Sequence, residues 1–377
     1  MKIGIITFHS SNNCGSMLQS YALQKTLTSL GCENEIIDFS NKAQKHMYAL
    51  FRKPTNVHDI IYDLVTLCYY KKFKLHYSDY RSFLEDKITL TDKSYENNEE
   101  LKSIVPNYDV FVTGSDQVWN ICCPDADDAY YLNFVKDKPK IAYAPSFGAT
   151  CIAQKSDNPE LYKEYLKQMT YISIRENNGA KWIKELIGRD VPVLVDPTML
   201  LTKEDYQKLS SEQEGISGKY IFYYAFNYSD EVNAIVKKIS EELGIPVYML
   251  DAKSWVKKAK KYGFKLTKHS GPIAFLNLVM NAELVLTTSF HGTVFSILGE
   301  KKFWFINSSM HREEDDRAGT LLKMFELEER VLETSDIEIS KSKISSDWNY
   351  DSTREILQYE RQRALAFLNE ALESVKE

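Results

Sequence analysis

Residues 285–303 read V-L-T-T-S-F-H-G-T-V-F-S-I-L-G-E-K-K-F. Residues 284–288 form a short apolar, β-branched run suited to a buried parallel strand, and residues 293–298 have the composition that begins a helix. His291 and Gly292 then fall on the strand-to-helix turn. In an open α/β sheet that turn lies at the carboxyl ends of the strands, where ligands bind. Free N–H groups of Gly292 and Thr293 at the helix start would suit a phosphate or carboxylate. The competing reading makes His291 a helix cap bonded to nearby backbone.

Outward from this turn the same strand-then-helix rhythm repeats. Residues 2–8 read as a strand, 10–15 as a polar loop, 16–30 as a helix ending at Gly31, and 35–39 as the next strand. This βαβ opening lacks G-x-G-x-x-G, so it carries no dinucleotide fingerprint. Residues 42–90 interrupt the rhythm with a helical stretch rich in aromatic and basic residues. It returns with strands at 108–113 and 141–145, a helix, strand and helix over 161–187, and a second series from residue 191. That series holds strands at 220–224 and 246–250, helices at 230–243 and 273–281, and the His291 strand. After residue 303 come 304–307, a charged loop with Arg312 and Arg317, and a long amphipathic helix over 352–375.

The expected fold is α/β: two Rossmann-like domains with parallel sheets facing a cleft in a GT-B-like arrangement. The expected boundaries are 1–190 (acceptor side, with the helical insert 42–90), 191–345 (donor side) and 346–377, a C-terminal helix crossing back to brace the first domain. A length of 377 residues favours two cores over one. The apolar fraction of 44% is ample to fill them. A net charge of -6 argues against a general nucleic-acid binder, because a phosphate backbone demands a basic face. The six cysteines form no C-x-x-C pair and no zinc-ligand spacing, so they read as reduced and the protein as cytoplasmic. No run approaches a membrane span, and no secretory leader is evident.

Five blocks together resemble the polysaccharide pyruvyl transferase family: N-N-C-G-S-M-L-Q-S-Y-A-L (12–23), V-T-G-S-D-Q-V-W-N (112–120), I-S-I-R-E (172–176), V-D-P-T (195–198) and T-S-F-H-G-T-V-F-S (288–296). The resemblance spans roughly residues 1–330. It implies a bacterial enzyme that moves an enolpyruvyl unit from phosphoenolpyruvate to two hydroxyls of one sugar, forming a pyruvate ketal and releasing phosphate. The implied acceptor is a saccharide, commonly lipid-linked and bound for a capsule or exopolysaccharide. The chemistry makes no metal obligatory and needs no cofactor beyond the donor.

The resemblance makes His291 the candidate acid and phosphate ligand and Arg175 the candidate anion clamp. Ser289, Gly292, Thr293, Arg312 and Arg317 complete the expected donor site. Asp116 is the candidate base, with an Asx-turn or helix cap as its alternative. His9, Asn13, Gly15, Ser16, Gln117 and Trp119 are the expected acceptor contacts, Trp119 by stacking on a sugar unless it serves the core. Asp196, before Pro197, reads as structural. Two departures stand out: many family members carry Arg where this chain has Ser289, and an acidic residue where it has Ser16.

The lysines and aromatics at 69–77 and the lysine run 253–268 each read as solvated faces with snorkelling lysines, and a lipid-carried acceptor would give the first cluster a purpose at an anionic membrane surface. Two other functions remain open: a GT-B glycosyltransferase using a nucleotide sugar, and a non-catalytic saccharide-binding partner.

Overall fold

The computed structural model describes the chain except residues 308–313, 336–342, 345, 347 and 376–377. Strands β1 (Lys2–Ile6), β2 (Glu33–Ile36), β3 (Val110–Thr113), β4 (Lys140–Ala142) and β5 (Tyr171–Ile172) form one parallel sheet in the order β2-β1-β3-β4-β5. Strands β6 (Ile221–Tyr224), β7 (Val247–Met249), β8 (Lys265–Leu266), β9 (Leu284–Thr287), β10 (Phe303–Asn307) and β11 (Val331–Glu333) form a second, in the order β11-β10-β9-β6-β7-β8. All pairings are parallel, as expected of α/β units whose sheets are covered on both faces. That covering explains the unbroken apolar runs: β3 is Val-Phe-Val-Thr and β9 is Leu-Val-Leu-Thr, every residue buried.

The first order is flavodoxin-like, reversing between β1 and β3. The second, counted from its own first strand, is 3-2-1-4-5-6 and reverses between β6 and β9. Each reversal opens a crevice at the carboxyl ends of the strands. Helix α1 (Cys14–Ser29) leaves the first crevice, its start capped by Asn13, whose side chain accepts from the N–H groups of Gly15 and Ser16.

The insert between β2 and β3 holds α2 (Lys42–Tyr48), α3 (Val57–Cys68), α4 (Tyr70–Lys87) and α5 (Asn98–Lys102). Later in the first unit come α6 (Ile152–Lys155), α7 (Pro159–Lys167) and α8 (Asn177–Ile187). The second holds α9 (Lys203–Ser210), α10 (Asp230–Leu243), α11 (Ala252–Ser254), α12 (Gly271–Asn281), α13 (Phe290–Leu298) and α14 (Arg317–Met324).

One apolar cluster joins the two sheets, running from Ile5 and Leu18 through Phe275 to Val294 and Phe295. Helix α4 adds polar ties: His76 Nε2 lies 3.1 Å from the Lys268 carbonyl, and the Asp79 carboxylate accepts from Ser270 N at 2.9 Å and contacts His269 Nδ1 at 3.2 Å. The C-terminal helix Asp351–Ser374 crosses both units. Arg361 donates to the Met199 and Leu201 carbonyls, and Phe367 packs against Tyr143 and Tyr171 of the first unit.

Two local expectations are corrected. The helix after β9 begins at Phe290 rather than Thr293, because Ser289 caps it. Residues 191–196, the expected opening of the second series, lie against the first sheet, with Val193 bridging Ile174 in parallel beside β5.

Candidate active site

The two crevices bring α1 and α13 against each other, and the contact is made by a glycine. A Cβ at Gly15 would stand inside van der Waals contact of the His291 ring. Gly15 therefore makes room for the histidine, which is a different task from the acceptor contact expected of it. Gly292 is closed in similarly by the Thr287 side chain.

His291 is 7% exposed, and its Nε2 stands 3.4 Å from Asp196 Oδ2, near enough for attraction but without a hydrogen bond. Asp196 sits at the centre. Its Oδ2 accepts from Arg175 Nη1 at 2.8 Å, and its Oδ1 accepts from Thr198 N and Oγ1 at 3.0 and 2.8 Å. Burial opposes the Asp196 charge, but His291, Arg175 and the Thr198 N–H outweigh it and hold this carboxyl well below the usual range.

Arg175 is 3% exposed, with its guanidinium 4.3 Å over the Phe290 ring. Its Nη2 lies 3.6 Å from Asp116 Oδ1, and neither Nη2 nor Nε makes a hydrogen bond. Asp116 holds a left-handed backbone (φ 65), which Asp tolerates better than most residues. Its carboxylate accepts from Ser16 Oγ and, at 2.8 Å, from Gln117 N. Burial pushes the Asp116 carboxyl up, but Arg175, His291 and these bonds bring it below its ordinary value, leaving it ionised at neutral pH. Gln19 of α1 steadies the loop by donating to Thr7 Oγ1 and accepting from Ser115 N.

Asp116, Arg175, His291 and Ser16 thus converge. Other expected site residues do not. Trp119 is fully buried, stacked on Tyr131 and bonded to the Tyr130 carbonyl, so no face is left for a sugar. His9 is equally buried, tied to Asp38 and the Thr7 carbonyl. Asn13 is committed to capping, and Gln117 accepts from Asn120 Nδ2 at 3.0 Å.

The helix start after β9 offers no free N–H at Gly292 or Thr293, since Ser289 accepts from both through its Oγ and its carbonyl. These three residues build the turn instead of presenting donors. Arg317 donates to both oxygens of Asp315, at 2.7 and 2.5 Å, and Arg312 lies outside the described residues.

Sequence reading missed Asp196 and Glu176. Both stand in the quoted blocks, V-D-P-T and I-S-I-R-E, and adjacency to Arg175 was the available signal for Glu176. Glu176 is fully buried, accepts from Phe147 N at 2.8 Å through Oε1, and has no donor at Oε2. Burial, partly offset by Arg175, pushes its carboxyl up to about 7. Among the described residues, no group of His, Cys, Asp and Glu is placed to hold a metal ion.

Two parallel α/β units whose switch points face one another define the GT-B class of architecture. Solved structures agree in fold. A UDP-GlcNAc 2-epimerase from Neisseria meningitidis has a TM-score of 0.54 at 10% identity, over 99% of this chain and 100% of that one. AviGT4, a glycosyltransferase of avilamycin A biosynthesis, has 0.52 at 10%, over 100% and 98%. A UDP-N-acetylglucosamine 2-epimerase from Rickettsia bellii has 0.53 at 9%, over 100% and 97%. No curated protein matches by sequence.

Within that class the chain belongs to the polysaccharide pyruvyl transferase family, whose model matches residues 13–310.

Proposed function

We propose that this chain transfers an enolpyruvyl group from phosphoenolpyruvate to a sugar of a lipid-linked saccharide, forming a pyruvate ketal and releasing phosphate. The observation that carries this reading is Arg175: a buried guanidinium with one nitrogen fixed by Asp196 and two further nitrogens, Nε and Nη2, lacking acceptors, beside His291. Buried donors left unpaired call for an anionic oxygen, and a carboxylate or phosphate matches the arginine fork.

In this scheme Arg175 holds an anionic end of phosphoenolpyruvate. His291 gives a proton to the methylene carbon, making it a methyl group, while a sugar hydroxyl adds to C2 and loses its proton to the ionised Asp116. Loss of phosphate, which takes up the proton held by Asp116, opens C2 to the neighbouring hydroxyl, whose proton returns to His291 as the ketal closes. Asp196 fixes Arg175 through a hydrogen bond and sets its charge opposite His291. Ser16 donates to Asp116 where many family members have a second acid, so this carboxylate keeps its charge without a like charge beside it.

The test is thermal stabilisation by phosphoenolpyruvate, inorganic phosphate and UDP in wild type and Arg175→Lys, which keeps the charge and removes the fork. Ligand at about 100 times its Kd adds about 2.7 kcal/mol. The expected result is a phosphoenolpyruvate-selective shift lost in the variant. A shift with UDP alone would move the assignment to glycosyl transfer. No shift with any donor, but saccharide binding, would make the chain a non-catalytic partner.

A further inference from the structure

Among the described residues, ten large apolar side chains are exposed, and seven of them fall between Phe51 and Tyr70. Five lie on α3: Val57 (71% exposed), Ile60 (48%), Ile61 (51%), Leu64 (58%) and Leu67 (64%). The spacing of three, four, seven and ten residues puts them on one stripe of the helix. The opposite stripe, Asp59, Tyr62 and Thr66, is buried against the molecule. A single exposed leucine needs no explanation, but a contiguous apolar stripe does.

The aromatic and basic cluster at 69–77 follows α3 directly and divides between core and surface. Phe73 and His76 turn inward, while Tyr70, Lys71 and Lys74 stay exposed, with Tyr70 stacked on Phe51 and Lys74 Nζ 5.7 Å from the Tyr70 ring. From residue 49 to residue 78 every exposed ionised side chain is a lysine: Lys53, Lys71 and Lys74. The two acids of α3 point away, Asp59 into Thr55 and Asp63 to the Arg52 N–H.

We infer that α3 lies in the plane of an anionic lipid surface, its aliphatic stripe in the acyl boundary and the three lysines at the headgroups. An apolar helix face rimmed by lysine is the chemistry of interfacial binding. At 12 residues the helix is about 18 Å long, too short to span. Charge also selects among occupants. Two-fold docking of a second copy would bring two sets of Lys53, Lys71 and Lys74 to one interface, whereas anionic headgroups neutralise them. The inference does not depend on which donor the active site takes.

The experiment is vesicle co-sedimentation of the full chain at low and high salt, with phosphatidylcholine alone and with phosphatidylcholine plus phosphatidylglycerol. Wild type should bind the mixed vesicles at low salt and be released by salt. Leu64→Glu/Leu67→Glu, at exposed positions, should keep the wild-type Tm and bind about tenfold more weakly or worse. Lys71→Gln/Lys74→Gln should lose most of the preference for the anionic vesicles. No binding by wild type at low salt, or equal binding by the leucine variant, overturns the inference. So does a dimer in solution that the leucine variant dissolves, which would make α3 an interface between copies.

Discussion

At Glu176 a carboxyl with an ordinary value of 4.5 is pushed up to about 7 by burial. Between those values the unfolded chain releases a proton that the folded chain keeps, so stability falls as pH rises through this window, by roughly 3 kcal/mol once it is passed. Glu176→Gln removes the dependence and keeps the oxygen that accepts from Phe147 N. Its Tm should match wild type near pH 4 and exceed it at pH 8; equal values at pH 8 would mean that Arg175 compensates an ionised Glu176. Single residues were the most legible level of the sequence where the chemistry announced itself: Asp116, Arg175 and His291 all reach one site. Asp196 did not, because a carboxylate before proline also reads as a turn residue, and only tertiary packing sets it between Arg175 and His291. Trp119 went to the core, the second of its two readings, where Tyr131 and Phe147 enclose it.

The elements were legible through their apolar runs and less so at their ends. A parallel strand buried on both faces has no alternation to mark its limits, and the start of α13 was decided by one hydroxyl, Ser289 Oγ. The packing of α1 on α13 gives a sharper test. Gly15→Ala places a methyl where the His291 ring lies, so the histidine must move. If His291 is the acid, turnover should fall by about 10² or more, and overpacking should cost about 1–3 kcal/mol. Gly319→Ala is the control: it lies in α14 with nothing within 4 Å of the new carbon and should stabilise by up to about 1 kcal/mol. Phosphate release and thermal melts of the two variants separate loss of room at the histidine from a general effect of alanine.

For the whole molecule, two α/β series were readable from the alternation of strands and helices, but strand order was not, since parallel neighbours are chosen by crossovers that leave no local mark. Nor was the role of the insert, whose α4 ties the first unit to the start of α12. Asp79→Ala removes the acceptor of Ser270 N and the partner of His269. It should cost about 1 kcal/mol and speed amide exchange at Ser270 and in the first turn of α12, while β1 exchanges as before; unchanged exchange at Ser270 would show that the tie does not hold that helix. One other connection bears on the candidate site. The chain leaves the first unit along residues 191–196, beside Ile174, and the last residue of that passage is Asp196. The acid that grips Arg175 on one side and faces His291 on the other therefore also lies on the chain's passage between the two units. A substitution that shifts the 191–196 backbone should therefore disturb the Arg175–Asp196 pair as well as the passage between the units, because one residue carries both.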